Sequence, residues 1–360
     1  MEFDMENSVR RCTRCILPDS YPKISYDAEG VCNVCRTFEE RWKDYDWESQ
    51  GHELEVIFDK AKAKKRRYDC MVPVSGGKDS AYALYICAQK YKLKVLAVNF
   101  NNGFASPVAA ENLAIMARRF DVDFISWSPK WSTLKKAYRT FFLKTGDFCP
   151  PCSRAITSYT YRFAQKEGIP LIVLGFNPKT DINPPEIEII DQRLFKDVIG
   201  NSLTDREKKD FLIFEPRRFL TTRIDLPAYI QFNENQMVHE LEQFLGSAVE
   251  FSGDMHFDCI VSPVAKWLRR KKWGFDKKTQ KYAAFIRDGQ ITREQAMERA
   301  EGLDAEKEPE ILGDFMEMLN VTRADVEHAR ELSALNFKHY DPKIIRMIGK
   351  LTGVIDKEYK

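Results

Sequence analysis

The segment Ser75-Gly-Gly-Lys-Asp-Ser80 constrains this chain more than any other stretch. Before it, Tyr68-Asp-Cys-Met-Val-Pro-Val74 is apolar without helical period and reads as a buried parallel strand. After it, Ala81 to Lys90 reads as a helix. A glycine-rich turn between a strand and a helix lets backbone amides approach an anion closely. The helix N-terminus adds the positive end of its dipole. Lys78 supplies a mobile cation, and Ser75 and Ser80 supply hydroxyl donors. Asp79 is expected either in the first helical turn or on a magnesium ion. Six residues of this kind in this context point to a phosphate cradle, distinct from the GxxxxGK[ST] loop of kinases and GTPases.

The rhythm continues downstream. Strands are expected at 94–100, 123–127 and 170–175, and helices at 105–120, 131–144 and 153–167. Strand and helix in alternation predict an α/β fold with a doubly wound parallel sheet. Upstream, 8–40 reads as a small cysteine-rich knuckle and 36–66 as helical. From about 183, after which Pro184 and Pro185 break the pattern, the chain turns irregular and then mostly helical. Helices are expected at 236–246, 262–271, 277–288, 292–302, 308–319, 322–333 and 342–352, with a capping box at Thr292-Arg-Glu-Gln295. The expected organisation is a zinc-ribbon-like segment over 1–40, an α/β domain over 41–182, and a helical region over 183–360 that completes the substrate site.

The 360 residues are 44% apolar and 31% charged, enough for packed cores in two domains or in one large domain with an appendage. With 56 Lys and Arg against 54 Asp and Glu, the net charge of +2 gives no global sign of a nucleic-acid binder. The basic runs Lys60 to Arg67 and Arg269 to Lys272 read first as solvated helix faces. No apolar run is long enough to cross a membrane, and Met1 to Arg11 lacks a signal-type stretch, so a cytoplasmic protein is expected.

Nine cysteines follow, six of them in three CxxC pairs. Cys12-x-x-Cys15 and Cys32-x-x-Cys35, separated by sixteen residues, have the spacing of a four-cysteine zinc ribbon. Four thiolates close a tetrahedral site, which makes the expected Zn2+ structural. Cys149-Pro-Pro-Cys152 is expected in a loop before a helix, with Cys259 about a hundred residues later. Three readings stand for this set: a 4Fe–4S cluster with one iron left open, a redox or persulfide dithiol, or a structural turn beside an unrelated thiol. Cys70 and Cys87 read as buried small hydrophobes. His239, His256, His328 and His339 stand alone and read as surface or core residues. Arg154 reads either as helix surface or as a holder of an anionic substrate group.

The loop resembles the SGGxDS signature of the PP-loop ATP pyrophosphatase superfamily. That resemblance implies ATP and Mg2+, transfer of AMP to a substrate oxygen, and release of pyrophosphate. It implies nucleotide contacts at Ser75, Gly76, Gly77, Lys78, Asp79 and Ser80. It extends them to the end of the second strand (Val98, Asn99, Phe100) and to Gly175 and Asn177, within a turn that runs to Asp181. Phe176 stands where tRNA-modifying branches carry histidine. The Cys149, Cys152 and Cys259 set resembles the cluster-binding branch of tRNA thiolation enzymes, which implies sulfur transfer to a tRNA base or a small molecule.

More of the chain resembles the N-acetyl sugar amidotransferase family of lipopolysaccharide and nonulosonic acid biosynthesis. The matching pieces run from Cys12-Thr-Arg-Cys15 and Asp27 to Cys35 through the Ser75 loop to Cys149-Pro-Pro-Cys-Ser-Arg154. They continue at Ile169 to Ile172, Phe257-Asp-Cys259, Trp273-Gly-Phe-Asp276 and Arg287 to Ala296. The family implies amidine formation on an acetamido sugar, with ammonia from a separate glutaminase subunit. Lys78, Asp79, Cys149, Cys152 and Cys259 are the residues expected to carry the chemistry. A homo-oligomer is the expected assembly.

Overall fold

A computed structural model describes residues 9–181, 192–213, 221–231, 233–246, 249, 251, 258–275, 277–301 and 307–332. The expected helix over 342–352, His256 and His339 lie outside the described residues.

The centre is a five-stranded sheet, every adjacent pair parallel, in the order β3-β2-β1-β4-β5. Its strands are β1 (Cys70–Val74), β2 (Val95–Phe100), β3 (Asp123–Trp127), β4 (Leu171–Leu174) and β5 (Thr222–Asp225). Alternate residues of one strand feed different apolar clusters, as a period of two requires. Cys70, Val72 and Val74 join one cluster with Cys87, Ala97 and Val173. Met71, Leu96, Val98 and Ile172 join the other. Both faces are therefore covered at the centre of the sheet, which is why β1, β2 and β4 read as unbroken apolar runs. Cys70 and Cys87 are fully buried, as expected of small hydrophobes.

β1 lies between β2 and β4, so the chain order reverses there. In open parallel sheets, ligands bind outside the carboxyl ends of the strands at such a reversal. The helices around it are α1 (Asn33–Trp42), α2 (Trp47–Ala63), α3 (Lys78–Tyr85), α4 (Pro107–Arg119), α5 (Trp131–Thr145) and α6 (Cys149–Lys166). They continue with α7 (Gln192–Ile199), α8 (Asp205–Lys208), α9 (Glu234–Leu245), α10 (Ser262–Trp273), α11 (Lys277–Arg287), α12 (Arg293–Glu301), α13 (Leu312–Leu319) and α14 (Arg323–Glu331).

Several expectations shift. The helix expected over 36–66 is two helices, with Asp46 capping the second through Ser49 N at 3.0 Å. Helix α3 loosens into a π turn over Ile86–Lys90. Cys149-Pro-Pro-Cys152 is not a loop but the opening turn of α6. Proline fits there, because first-turn amides have no intrahelical partner to lose. The expected α/β boundary at 182 falls too early, since β5 joins the sheet beside β4. β5 is only four residues long with a mixed exposure pattern, and its period-two signal is too short to read. The capping box at Thr292 is present, with Thr292 N to Gln295 Oε1 at 2.9 Å and Gln295 N to Thr292 Oγ1 at 3.2 Å.

Candidate functional site

The Ser75 loop leaves β1 and enters α3 at the reversal point. Ser80 Oγ donates to the Gly77 carbonyl at 3.0 Å and accepts from Ser75 N at 3.2 Å, closing the loop on itself. Gly77 is the N-cap of α3 and has no side chain to satisfy the first-turn amides, so those donors face outward. Gly76 has φ +90°, and a Cβ there would stand 2.5 Å from the Ala109 carbonyl. Only glycine lets the loop lie this close to α4. Asn112 of α4, fully buried, donates to the Gly76 carbonyl at 2.9 Å and fixes the turn.

Gly175, just past β4, approaches the loop from the other side of the reversal. A Cβ on it would stand 2.3 Å from the Asp79 carbonyl oxygen. The turn that follows is tied by Asp181, whose Oδ2 accepts from Asn177 N at 2.9 Å. Exposed Phe176 lies between Gly175 and Asn177.

Charged groups alternate around the loop. Lys78 Nζ stands 3.4 Å from Asp79 Oδ2 and 3.3 Å from Glu234 Oε1. Lys281 of α11 is buried, with Nζ 2.8 Å from Asp181 Oδ1 and 3.1 Å from Thr180 Oγ1. Burial disfavours its ammonium, but Asp181, Asp79 and Glu234 outweigh that and hold its pKa above the ordinary value. Glu234, Lys281 and Asn112 were not singled out in the sequence. Lys281 sits in an amphipathic helix like any other lysine, and Glu234 looks like an ordinary first-turn acid.

At the end of β2, the three expected nucleotide residues differ in role. Val98 points into the core. Asn99 is buried, donating to the Val74 carbonyl at 2.9 Å and accepting from Ser126 Oγ at 2.9 Å, so its amide ties strands together. Phe100 is half-buried, its ring 5.6 Å from that of Trp127.

The three downstream cysteines share one neighbourhood beside buried Tyr138, which is electrostatically coupled to all of them. Asn102 Nδ2 lies 3.5 Å from Cys152 Sγ. Cys259 pairs with Ala105 as an isolated antiparallel bridge, with Ile260 N to Phe104 O at 2.9 Å and Ser106 N to Asp258 O at 3.1 Å. The neighbouring Asp258 carboxyl accepts a hydrogen bond from Ser75, and burial raises its pKa. One short segment thus touches both the loop and the cysteines. Burial pushes the Cys152 thiol up to about 11 and the Cys259 thiol up to about 12. Burial, then Asp147, raises Cys149 as well.

The three sulfurs do not gather within 4.8 Å of one another, a condition that among the described residues only Cys12, Cys15, Cys32 and Cys35 meet. A single tetrahedral ion does not fit them. Three thiols set wider apart than that suit the donor chemistry of a polynuclear iron–sulfur group better than that of a single ion. The N-terminal four fit zinc. Tetrahedral thiolates at about 2.3 Å from zinc lie roughly 3.8 Å apart; Cys12–Cys35 and Cys15–Cys32 are 3.9 and 3.8 Å apart. Amides of Cys15 and Cys32 donate to Cys12 Sγ at 3.4 and 3.2 Å. Bonding to Cys15 lowers the pKa of Cys12 to about 6, and bonding among the same sulfurs raises that of Cys15.

Two expected surface features are structural. Arg154 is buried and donates to the Phe211 carbonyl at 3.3 Å and to Gln192 Oε1 at 2.9 Å. Within the basic run, Arg269 pairs with Asp147 at 3.5 Å, and Lys272 donates to the Thr145 and Gly146 carbonyls at 3.1 and 2.7 Å. Both close the end of α5 rather than forming a solvated face. His239 and His328 lie on helices, the former 2.9 Å from Gln243. Among the described residues, no helix is long and apolar enough to cross a membrane.

Residues 239–351 match the family described as LPS biosynthesis protein WbpG-like, C-terminal domain. That region supplies α11, and with it Lys281, and also Asp258 and Cys259. An uncharacterized protein of Methanocaldococcus jannaschii, MJ1599, is 25% identical over 303 residues, covering 83% of this chain and 95% of its own. Among solved structures, the U34-tRNA thiolase NcsA of Methanococcus maripaludis with its [4Fe-4S] cluster is similar over 85% of this chain and 91% of its own, at 13% identity and TM-score 0.36. The NH3-dependent NAD synthetase of Campylobacter jejuni, in complex with the nitrate ion, is similar over 80% and 93%, at 12% identity and TM-score 0.35.

Proposed function

We propose that this chain is a PP-loop enzyme that adenylates an amide carbonyl oxygen and then admits ammonia, forming an amidine on an N-acetyl sugar. The observation that carries the reading is the anion cradle. Outward first-turn amides of α3, two serines and Lys78 sit where the sheet reverses, beside a glycine that permits backbone contact with Asp79.

The chemistry follows from leaving groups. An amide oxygen is a poor one. Its attack on the α-phosphorus of ATP forms an O–P bond, and pyrophosphate departs with the electron pair. Loop amides and Lys78 would stabilise the charge that accumulates on the departing phosphates. Asp79 would hold the magnesium ion, which would supply positive charge against those phosphates. Ammonia then adds to the activated carbon and AMP leaves, giving the amidine after proton loss. A separate glutaminase subunit is the proposed ammonia source.

A second reading is favoured by one observation: Cys149, Cys152 and Cys259 pack against one apolar cluster, and Asp258, beside Cys259, accepts a hydrogen bond from Ser75 of the loop. Cys149, Cys152 and Cys259 would hold a 4Fe–4S cluster, which would supply an open iron position for sulfide. The acceptor in that reading is a tRNA base or a small molecule.

Anaerobically purified protein with ATP, ammonia and an acetamido sugar tests the first reading. AMP with pyrophosphate is expected, and ADP with phosphate would sink it. Sulfur in the product, with iron lost in Cys259→Ala, would transfer the assignment to the second reading.

A further inference from the structure

Helix α11 lies between two sites that the sequence presents as unrelated. On one side it meets the turn after β4. Lys281 reaches Asp181 and Thr180, and Asp288, just past the helix, pairs with Lys179 at 2.7 Å. All four groups of these two ion pairs are largely withdrawn from water, where such pairs hold geometry firmly. Gln290 extends the link: its Nε2 donates to Asp288 Oδ2 at 2.8 Å and its Oε1 accepts from Glu234 N at 3.2 Å. Glu234 in turn pairs with Lys78. A polar chain thus runs from the Asn177–Asp181 turn to the loop lysine.

On its other side α11 meets the four-cysteine knuckle. Cys12, Cys15, Ile16, Leu17 and Tyr21 share one apolar cluster with Phe275, Ala283 and Ala296. The Tyr21 and Phe275 rings lie 5.4 Å apart. Arg293, at the start of α12, donates to the Cys15 carbonyl at 3.1 Å. So small a segment would draw much of its stability from a metal ion on its four sulfurs.

We propose that α11 positions the nucleotide site: Lys281 sets the Asn177–Asp181 turn against the loop, and the metal-loaded knuckle holds the helix in place. Lys281 acts through Asp181 and is a positioning residue. The inference rests on the reading of the loop as an ATP site.

The test uses the full chain and magnesium–ATP binding by calorimetry, with zinc content and thermal unfolding followed alongside. Lys281→Met alone leaves the Asp181 carboxylate unpaired, so the informative variant is the double replacement Lys281→Met with Asp181→Asn. It is expected to fold and keep zinc, yet bind ATP about tenfold more weakly. Stripping zinc from the wild type should raise amide exchange across 277–287 and weaken ATP binding by a similar factor. Wild-type ATP affinity in the folded double variant, or unchanged exchange across 277–287 after zinc loss, would overturn the proposal. Failure of the wild type to bind ATP would instead bring down the reading of the loop itself.

Discussion

Replacing Gly175 by alanine probes the contact between the two halves of the proposed ATP site. The added Cβ would lie 2.3 Å from the Asp79 carbonyl oxygen, 2.6 Å from its carbon and 3.1 Å from Ser80 N. All three are backbone atoms, so no side chain can swing aside. Restoring ordinary contact requires the end of β4 and the start of α3 to part by about 1 Å, at a cost of roughly 1–3 kcal/mol in overpacking. A displacement of that size at reacting groups lowers rate by about a hundredfold. Adenylation rate, measured by ATP–pyrophosphate exchange, should therefore fall about a hundredfold while thermal unfolding shifts by only a few degrees. Gly168→Ala is the control. Its φ of +64° makes alanine strained, but nothing lies within 4 Å of the new Cβ, so exchange should be unchanged. Wild-type exchange in Gly175→Ala would refute the claim that this close approach shapes the site.

Cys32→Ala should abolish zinc binding and lower the unfolding temperature, because Cys32 shares the tetrahedral set and its cluster with α11; retained zinc would contradict the assignment. Arg154→Met should destabilise the fold by roughly 1–3 kcal/mol, by leaving the Phe211 carbonyl without its donor, and leave acceptor KM unchanged. A raised KM at unchanged stability would restore Arg154 as a substrate contact. Lys272, held by burial at a pKa of about 8 against an ordinary 10.5, gives a signature in pH. Between those values the unfolded chain binds a proton that the folded chain does not, so stability should rise with pH, by up to about 3 kcal/mol. Below pH 8 both states are protonated and this dependence is flat. Denaturant titrations of Lys272→Met should lack that rise.

The parts of the molecule visible in the sequence are those that local chemistry dictates. Ser75 to Ser80 needs glycine at Gly76, where φ is +90°, and β1, β2 and β4 are buried along nearly their whole length, so their apolar runs are unbroken. The zinc spacing of Cys12 to Cys35 is equally local. What escaped reading depends on partners far along the chain. Lys281 gains its meaning from Asp181, a hundred positions earlier, and Glu234 from Lys78. Arg154 read as surface or substrate contact and Lys272 as surface, because the Phe211, Thr145 and Gly146 carbonyls that accept from them carry no sequence signature. β5 is so short that only its neighbour β4 defines it.

The bridge between Ala105 and Cys259 behaves as a ruler. Asp258 reaches Ser75 while the next residue joins the cysteine neighbourhood, and the backbone between them is stitched to the segment after β2 on both sides. One inserted residue between Asp258 and Cys259 would break this stitching, because the bonds of Ser106 N to Asp258 O and Ile260 N to Phe104 O fix the register on either side. The gap between phosphate cradle and thiols is therefore set by a single peptide unit. In the proposed reaction, an acceptor that meets both would place its reactive carbon within that span, and a larger one would extend outward from it.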